Sequence, residues 1–234
     1  MMDLTGHIPY SNMHLSDIKV LIERGENDTI EFKQTVPSPD KIAREICALA
    51  NTRGGIIFVG VSDHGELVGI RDYFEEEFWI RQGAEELCMP AVQVRFEVIE
   101  VKKRDILLVH VVESERKPVF LKHKKKRIAF IRQHEENVVA SPERLRLMAM
   151  ETRDTEITFE YGPKEQRLFQ YLREYGEISA DGFAKIAGIS ATMASRTLAA
   201  LVKTGTLSVF FREKQEYFCF TVSDNKESQT VSGT

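Results

Sequence analysis

The sequence predicts an α+β protein in which a mixed domain of helices and strands precedes a smaller domain of helices and one strand hairpin. Two observations indicate this class. Between residues 26 and 70, short runs with the two-residue period of strands flank a stretch with helical period. From residue 163 onward helical periods dominate, until two strand-like runs close the pattern at 206–211 and 215–221. A chain of 234 residues is long enough for one large domain or two smaller ones.

The first predicted strand covers residues 29–33, where apolar and polar side chains alternate. Glu26 precedes this strand, and we expect Glu31 and Lys33 on its exposed face. A helix follows, because apolar residues recur at helical spacing at positions 42, 46, 49 and 50. We expect the helix to end in the turn 51–55, whose asparagine and paired glycines permit left-handed backbone.

A buried strand is predicted directly after this turn, at residues 56–59, which are β-branched or aromatic. The run 62–65 has the composition of a hairpin turn and leads to a second short strand at 67–70. Asp63 would project from the end of the first of these strands. The glycines at 54 and 55 do not indicate a phosphate loop, because they follow a helix and the G-x4-G-K-S/T pattern is absent.

These residues resemble the Schlafen AlbA-like (AlbA_2) domain family. Its signature joins an E-x4-E-F-K strand, a helix ending in an A-N-T-x-G-G-like turn and a G-V-x-D-x-G hairpin, and each element is present here. The resemblance continues at 117–119, 130–132 and 140–143, so it covers residues 15 to 150. It implies an AlbA-like nucleic-acid-binding domain at residues 1–152. Prokaryotic members of the family are described as DNA-binding proteins or transcriptional regulators.

The resemblance also raises an enzymatic alternative, because nucleolytic members carry three acids that correspond to Glu26, Glu31 and Asp63. Two acids near one strand and a third from a neighbouring strand could hold Mg²⁺ or Mn²⁺, which would activate water against a phosphodiester. Lys33 would then contact phosphate, or else form a surface salt bridge. A structural role is open for Asp63, since aspartate in a turn bonds its own backbone.

A basic segment at residues 116–132 is the clearest candidate surface for nucleic acid in the first domain. The net charge of −4 argues against indiscriminate binding, so the local distribution matters more than the total. The alternative is a solvated hairpin tip, since exposed lysine runs are common. The candidate binding residues here are Lys122, Lys124, Lys125, Lys126, Arg127 and Arg132.

The second domain is predicted at residues 163–222, after a linker at 153–162 and before a disordered tail at 223–234. Its helices are expected at 164–175, 180–187 and 191–203, and a turn through Gly188 joins the last two as a helix-turn-helix. Three helices and a hairpin are typical of a winged helix. The alternative is that this domain mediates protein contacts only.

The last helix would enter a major groove, with small and polar side chains on its exposed face. We expect Ser190 to cap this helix, Ser195 and Ala199 to be exposed, and Met193 to lie in the core. The candidate contacts in this domain are Ser190, Thr192, Ser195, Arg196, Arg212 and Lys214.

Taken together, these features predict a cytoplasmic DNA-binding protein that regulates transcription. It binds DNA in preference to RNA, as a homodimer and without a cofactor. No apolar run approaches the roughly 20 residues needed to cross a bilayer, and no signal-peptide core is evident. We expect Cys47, Cys88 and Cys219 to be buried thiols. The alternatives are a nuclease that uses Mg²⁺ or Mn²⁺ at the three carboxylates, and a protein-interaction adaptor.

Overall fold

The structure is a computed structural model that describes residues 13–101, 103–124, 126–152, 161–213 and 215–221. The chain divides into two compact units. Unit 1 contains Met1–Ser141 and Glu151–Arg153, and unit 2 contains Pro142–Met150 and Asp154–Thr234. Both units combine helices with sheets, which confirms the predicted α+β class. Within the described ranges, every helix is too short or too polar to span a bilayer.

Unit 1 is built on a four-stranded sheet with the order β1-β2-β5-β4. In chain order, its elements are α1 (Leu15–Glu23), β1 (Ile30–Lys33), α2 (Pro39–Asn51), β2 (Gly55–Val59), α3 (Tyr73–Gln82), a π-helical turn (Gly83–Leu87), β3 (Cys88–Met89), β4 (Val94–Val101), β5 (Arg104–Val111), β6 (Phe120–His123), β7 (Lys126–Ile128), β8 (Phe130–Gln133) and β9 (Glu136–Val139). The strands β1 and β2 are parallel and joined through α2, whereas β5 is antiparallel to both of its neighbours. Two smaller antiparallel sheets are formed by β3-β6-β7 and by β8-β9.

Both faces of the four-stranded sheet are covered, and the side chains that alternate along its strands pack in two separate apolar clusters. On β2, Ile57 and Val59 pack in the cluster that contains the apolar side of α2, whereas Phe58 packs in the cluster that contains α1. The predicted inward residues of β1, Ile30 and Phe32, belong to the α1 cluster. The sheet therefore lies between two helical layers.

The helix α2 contains the predicted apolar positions and ends at the predicted turn. Ser38 caps its first turn by accepting a hydrogen bond from the Lys41 N–H at 3.3 Å, and a proline follows the cap. At the other end, Gly54 has a φ of 68° and its N–H bonds the Leu49 carbonyl at 2.9 Å. A Cβ at Gly54 would lie 2.6 Å from the Val111 carbonyl oxygen, so a side chain would not fit.

Unit 2 contains the predicted helices and the predicted hairpin. Its elements are α4 (Pro142–Glu151, of which the last residue groups with unit 1), α5 (Pro163–Tyr175), β10 (Glu177–Ile178), α6 (Ala180–Ala187), α7 (Ala191–Lys203), β11 (Leu207–Arg212) and β12 (Gln215–Phe220). The strands form an antiparallel sheet with the order β10-β12-β11. Between α6 and α7, Gly188 adopts the left-handed conformation with a φ of 66°. The buried core of this unit joins all three later helices to β12, for example through Leu168, Phe183, Leu198 and Phe218.

The helix α4 groups with unit 2, whereas the predicted first domain extended to residue 152. Two hydrogen bonds support this assignment. Arg144 Nε donates to Glu216 Oε1 on β12 at 2.8 Å, and Lys203 Nζ at the end of α7 donates to the Met150 carbonyl at 2.6 Å. The predicted tail at 223–234, and residues 153–160 of the predicted linker, lie outside the described residues.

The three cysteines are free thiols. Cys47 and Cys88 are buried in unit 1, as predicted. The prediction was wrong for Cys219, which is only half-buried because it lies on β12 of the small sheet in unit 2.

Candidate functional site

Glu31 lies in a buried ion pair in unit 1. Its side chain is 4% exposed, and its Oε2 is 2.5 Å from the Nη2 atom of Arg132 on β8. The Lys33 ammonium bonds the other carboxylate oxygen of Glu31. The prediction that Glu31 lies on an exposed strand face was wrong, because β8 brings Arg132 over that face.

Arg132 is enclosed by hydrogen-bond acceptors and is itself 4% exposed. Its Nε donates to the Asn27 carbonyl at 3.0 Å, its Nη2 to the Ile30 carbonyl at 3.2 Å, and its Nη1 to Asn137 Oδ1 at 3.3 Å. The same Nη1 lies 3.7 Å from Glu45 Oε2. The predicted role of Arg132 in nucleic-acid binding was therefore wrong, since a phosphate cannot reach its guanidinium in this structure.

Two further carboxylates lie beside this ion pair. Glu26 Oε1 accepts a hydrogen bond from the Phe32 N–H at 2.8 Å, and Glu45 accepts one from the Asn137 amide. Burial raises the pKa of both glutamates above its ordinary value, and the charge of Glu31 raises the two pKa values further. A cluster of charged side chains that is mostly shielded from water therefore lies beside β1 of the four-stranded sheet. We call Glu26, Glu31, Lys33, Glu45 and Arg132 the carboxylate–arginine cluster.

Glu45 and Asn137 were absent from the predicted site. A signal for Glu45 was present in the sequence, because it follows Ile42 by three residues and precedes Ile46, which places it on the apolar side of α2. A glutamate at such a position needs a buried partner. The identity of that partner could not be deduced, since Arg132 is almost ninety residues away along the chain.

Asp63 does not join the cluster. It is exposed in the turn after β2, which is closed by hydrogen bonds from the Gly65 N–H to the Ser62 carbonyl at 2.8 Å and from the Ser62 N–H to the Glu66 carbonyl at 3.0 Å. Across the part of the chain that the structure describes, no three His, Cys, Asp or Glu side chains converge as metal ligands.

The predicted three-carboxylate site for Mg²⁺ or Mn²⁺ does not fit this arrangement. Both carboxylate oxygens of Glu31 face cations, Lys33 Nζ is engaged by Glu31 and by the Phe32 carbonyl at 3.0 Å, and Asp63 lies apart in its turn. A hard divalent cation requires several oxygen ligands that are free to coordinate it. In this conformation Glu26, Glu31 and Asp63 do not supply them.

The hairpin β6–β7 carries a cluster of exposed positive charges in unit 1. We call residues 120–128 the basic hairpin. Lys124 and Arg127 lie exposed on it, and Lys122, which is also exposed, donates from Nζ to the Glu86 carbonyl at 2.8 Å. Lys126 is exposed as well, whereas Lys125 lies outside the described residues. The sequence from 116 to 134 contains no acidic residue, so nothing within this segment offsets these charges.

The N-terminal half of α7 presents a mixed polar and apolar surface in unit 2. Ser190 caps the helix, as predicted, by accepting a hydrogen bond from the Met193 N–H at 3.2 Å. Thr192 and Arg196 are exposed and lie one helical turn apart. Met193 is 47% exposed, so its predicted place in the core was wrong. We call Ser190, Thr192, Met193 and Arg196 the α7 face.

Ser195 does not belong to this face. It is 1% exposed and its hydroxyl bonds the guanidinium of Arg146 on α4, so its predicted contact with nucleic acid was wrong. Ala199, one turn further along, is also buried. Helical spacing alone did not reveal that α4 supplies a side chain to this side of α7.

Around the α7 face the charge is positive. Residues 182–212 contain no acidic residue and four basic ones, Lys185, Arg196, Lys203 and Arg212. Arg212, at the tip of the β11–β12 hairpin, is exposed but bonds Glu177 and stacks over the Tyr217 ring, 4.4 Å from the ring centroid. Lys214 lies outside the described residues. Among the described residues, Arg196 is the exposed cation of α7 for which no hydrogen bond or ion pair is seen.

The comparison with known protein families bears on unit 1. Residues 26–141 match the family model Schlafen, AlbA_2. The AlbA_2 segment begins at Glu26 and extends through β9, so it includes the carboxylate–arginine cluster and the basic hairpin. The α7 face lies outside the AlbA_2 segment.

Two solved structures are similar to parts of this chain at 16% sequence identity and a TM-score of 0.39. The DIP2311 protein from Corynebacterium diphtheriae matches 56% of this chain, which spans 32% of that protein. The N-terminal domain of a RecG-related protein from Nitrosomonas europaea matches 62% of this chain over 95% of the domain. Both similarities are too distant to indicate a function. No protein of curated function matches the chain.

Proposed function

We propose that this protein is a DNA-binding transcriptional regulator that reads duplex DNA through the α7 face. The observation that supports this proposal is the exposed, acid-free first half of α7, which follows a glycine turn as the second helix of a pair. In a helix-turn-helix the second helix lies in the major groove and its N-terminal residues contact base edges. We assign unit 2 to the winged-helix class on the same order of helices and strands.

Arg196 is the residue with the clearest chemistry for this role. Its guanidinium is exposed, and α7 carries no carboxylate that would compete for it. An arginine in the major groove can donate two hydrogen bonds to one guanine, which discriminates against other bases by about 1–3 kcal/mol. Thr192 lies one turn before it and offers a hydroxyl and a methyl group to the neighbouring bases.

The basic hairpin of unit 1 supplies a second, sequence-independent contribution in this proposal. Lysine binds a phosphate through its single positive charge, and arginine binds one through two parallel hydrogen bonds. Both displace counterions that are condensed on the nucleic acid. The contribution of Lys124, Lys126 and Arg127 should therefore weaken steeply as salt rises. We propose that the protein acts in the cytoplasm as a homodimer, because a two-fold operator requires a pair of reading helices.

The test is a selection from a random duplex DNA library in EDTA, followed by fluorescence anisotropy with the enriched sequence. We expect the wild-type protein to enrich one motif. The variant Arg196→Ala should bind this motif about 10-fold or more weakly, since it loses a base contact. The matched control is Arg173→Ala, which removes an exposed arginine from α5 and should leave affinity unchanged.

A second variant tests the basic hairpin. Replacing Lys122, Lys124, Lys126 and Arg127 by alanine should lower affinity for all duplexes alike and reduce the slope of log affinity against log salt by up to about 0.9 per lost phosphate contact. The control replaces four exposed cations elsewhere in unit 1, namely Lys19, Lys41, Arg71 and Arg95. Absence of duplex binding at low salt would refute the proposal and favour a protein-interaction role. Cleavage that requires Mn²⁺ would favour a nuclease.

A further inference from the structure

We propose that Arg132 supplies the positive charge between Glu31 and Glu45, so that the carboxylate–arginine cluster is an anchor of unit 1 that takes no divalent cation. The guanidinium contacts Glu31 Oε2 at 2.5 Å and lies 3.7 Å from Glu45 Oε2. It also bonds backbone carbonyls at residues 27 and 30 and the Asn137 side chain. One side chain therefore joins β1, α2, β8 and β9.

Four of the carboxylate oxygens that a cation would need already face protein groups, three through hydrogen bonds and Glu31 Oε2 through its ion pair with Arg132. Glu31 Oε1 bonds Lys33, Glu31 Oε2 faces Arg132, Glu26 Oε1 accepts from the Phe32 N–H, and Glu45 Oε2 accepts from the Asn137 amide. A divalent ion could bind here only by displacing the guanidinium. That displacement would leave the guanidinium buried and unpaired, which is costly.

Charge and geometry both suit arginine at this position. A guanidinium stays charged at every pH at which proteins fold, and its five donors form a planar fork. The four acceptors that Arg132 contacts at 3.3 Å or less lie on two different segments of the chain, residues 27–31 and Asn137. A lysine would offer one compact ammonium and could not reach all of these atoms. The anchor is therefore specific to arginine.

The experiment measures Mn²⁺ binding and thermal unfolding with the full-length chain. Mn²⁺ is titrated by electron paramagnetic resonance, and unfolding is followed by the fluorescence of Trp79, the single tryptophan, which lies in unit 1. We expect the wild-type protein and the variant Glu31→Gln to bind Mn²⁺ to the same extent. We also expect the Tm of the wild-type protein to be the same in Mn²⁺ and in EDTA.

The variant Arg132→Gln provides the complementary result. It removes the cation between Glu31 and Glu45 and leaves Lys33 as the only described cation beside Glu31, so its Tm in EDTA should fall below that of the wild type. Saturating Mn²⁺ should then raise the Tm of this variant by about 5 °C or more, because a ligand that binds only the folded state stabilises it. Arg95→Gln, which changes an exposed arginine on β4, should show neither effect.

Glu31-dependent Mn²⁺ binding by the wild-type protein would overturn the proposal, and so would a folded Arg132→Gln protein that Mn²⁺ does not stabilise. If Arg132→Gln does not fold, the comparison of the wild type with Glu31→Gln still tests the proposal. The proposal requires that Glu31 contributes to no Mn²⁺ site in the wild-type protein. Neither measurement uses DNA. The outcomes of the Mn²⁺ titration and of the unfolding measurement are therefore independent of whether the α7 face binds an operator.

Discussion

Replacing Asn51 by alanine should lower the stability of unit 1 more than replacing any exposed side chain of that unit by alanine. Asn51 ends α2, and its side chain is 4% exposed. Its Nδ2 donates to the carbonyls of Val119 and Phe130, both at 2.8 Å, and its Oδ1 accepts from the Val119 N–H at 2.7 Å. This one amide therefore connects the end of α2 to the segment before β6 and to β8.

The expected loss follows from these three hydrogen bonds. Each contributes about 1 kcal/mol net, and the buried Val119 N–H left without an acceptor costs a further ~1–3 kcal/mol. The sum is a loss of about 4–6 kcal/mol in the free energy of unfolding of unit 1. Because whole domains are stable by only about 5–15 kcal/mol, the variant should unfold at a much lower urea concentration.

Urea unfolding followed by Trp79 fluorescence measures this loss, because the single tryptophan reports on unit 1. The control is Gln93→Ala, which truncates an exposed amide in the same unit and should change stability by less than about 0.5 kcal/mol. A loss below about 1 kcal/mol for Asn51→Ala would refute the reasoning. It would mean that water or a rearranged backbone satisfies the Val119 N–H.

Three further predictions concern other parts of the chain. Burial, followed by the charge of Glu31, raises the pKa of Glu45, so the folded state holds this proton to a higher pH than the unfolded state. Stability should therefore fall as pH rises above the ordinary value of 4.5, and Tm profiles should show a flatter decline for Glu45→Gln. Burial raises the pKa of the Cys47 thiol to about 11 and that of Cys88 further, so a disulfide reagent should modify Cys219 first and the other two only on unfolding. Ser190→Ala should cost about 1 kcal/mol in unit 2, measured as faster amide exchange along α7.

The elements of this fold were predictable because local periods and caps determine them. In unit 2 the predicted helix 191–203 matches α7 as observed, and its cap is the predicted serine. In unit 1 the predicted strand run at 56–59 lies within β2. These features depend on residues within about four positions of each other, which is the range over which sequence patterns carry information.

The exposure of individual side chains was less predictable, because it depends on elements that are distant in sequence. Glu31 alternates with apolar neighbours and so seemed exposed, but Arg132 covers it from β8. Ser195 lies beside Thr192 and Arg196 on the helical wheel, but Arg146 of α4 bonds it. Met193 showed the opposite error, since its apolar character suggested burial and its side chain is exposed. The errors at Glu31 and Ser195 each come from one neighbour that is distant in sequence.

The residues that carry the resemblance to the AlbA_2 family are largely engaged in holding unit 1 together. Asn51 joins α2 to β8, Glu31 pairs with Arg132, and Lys117 Nζ donates to the Thr52 carbonyl at 3.1 Å and pairs with Glu113. Such residues identify the fold because the fold requires them. Their side chains are therefore poor evidence for chemistry on a substrate. The surfaces that we propose for binding are instead the basic hairpin and the α7 face, and the proposed function is tested there.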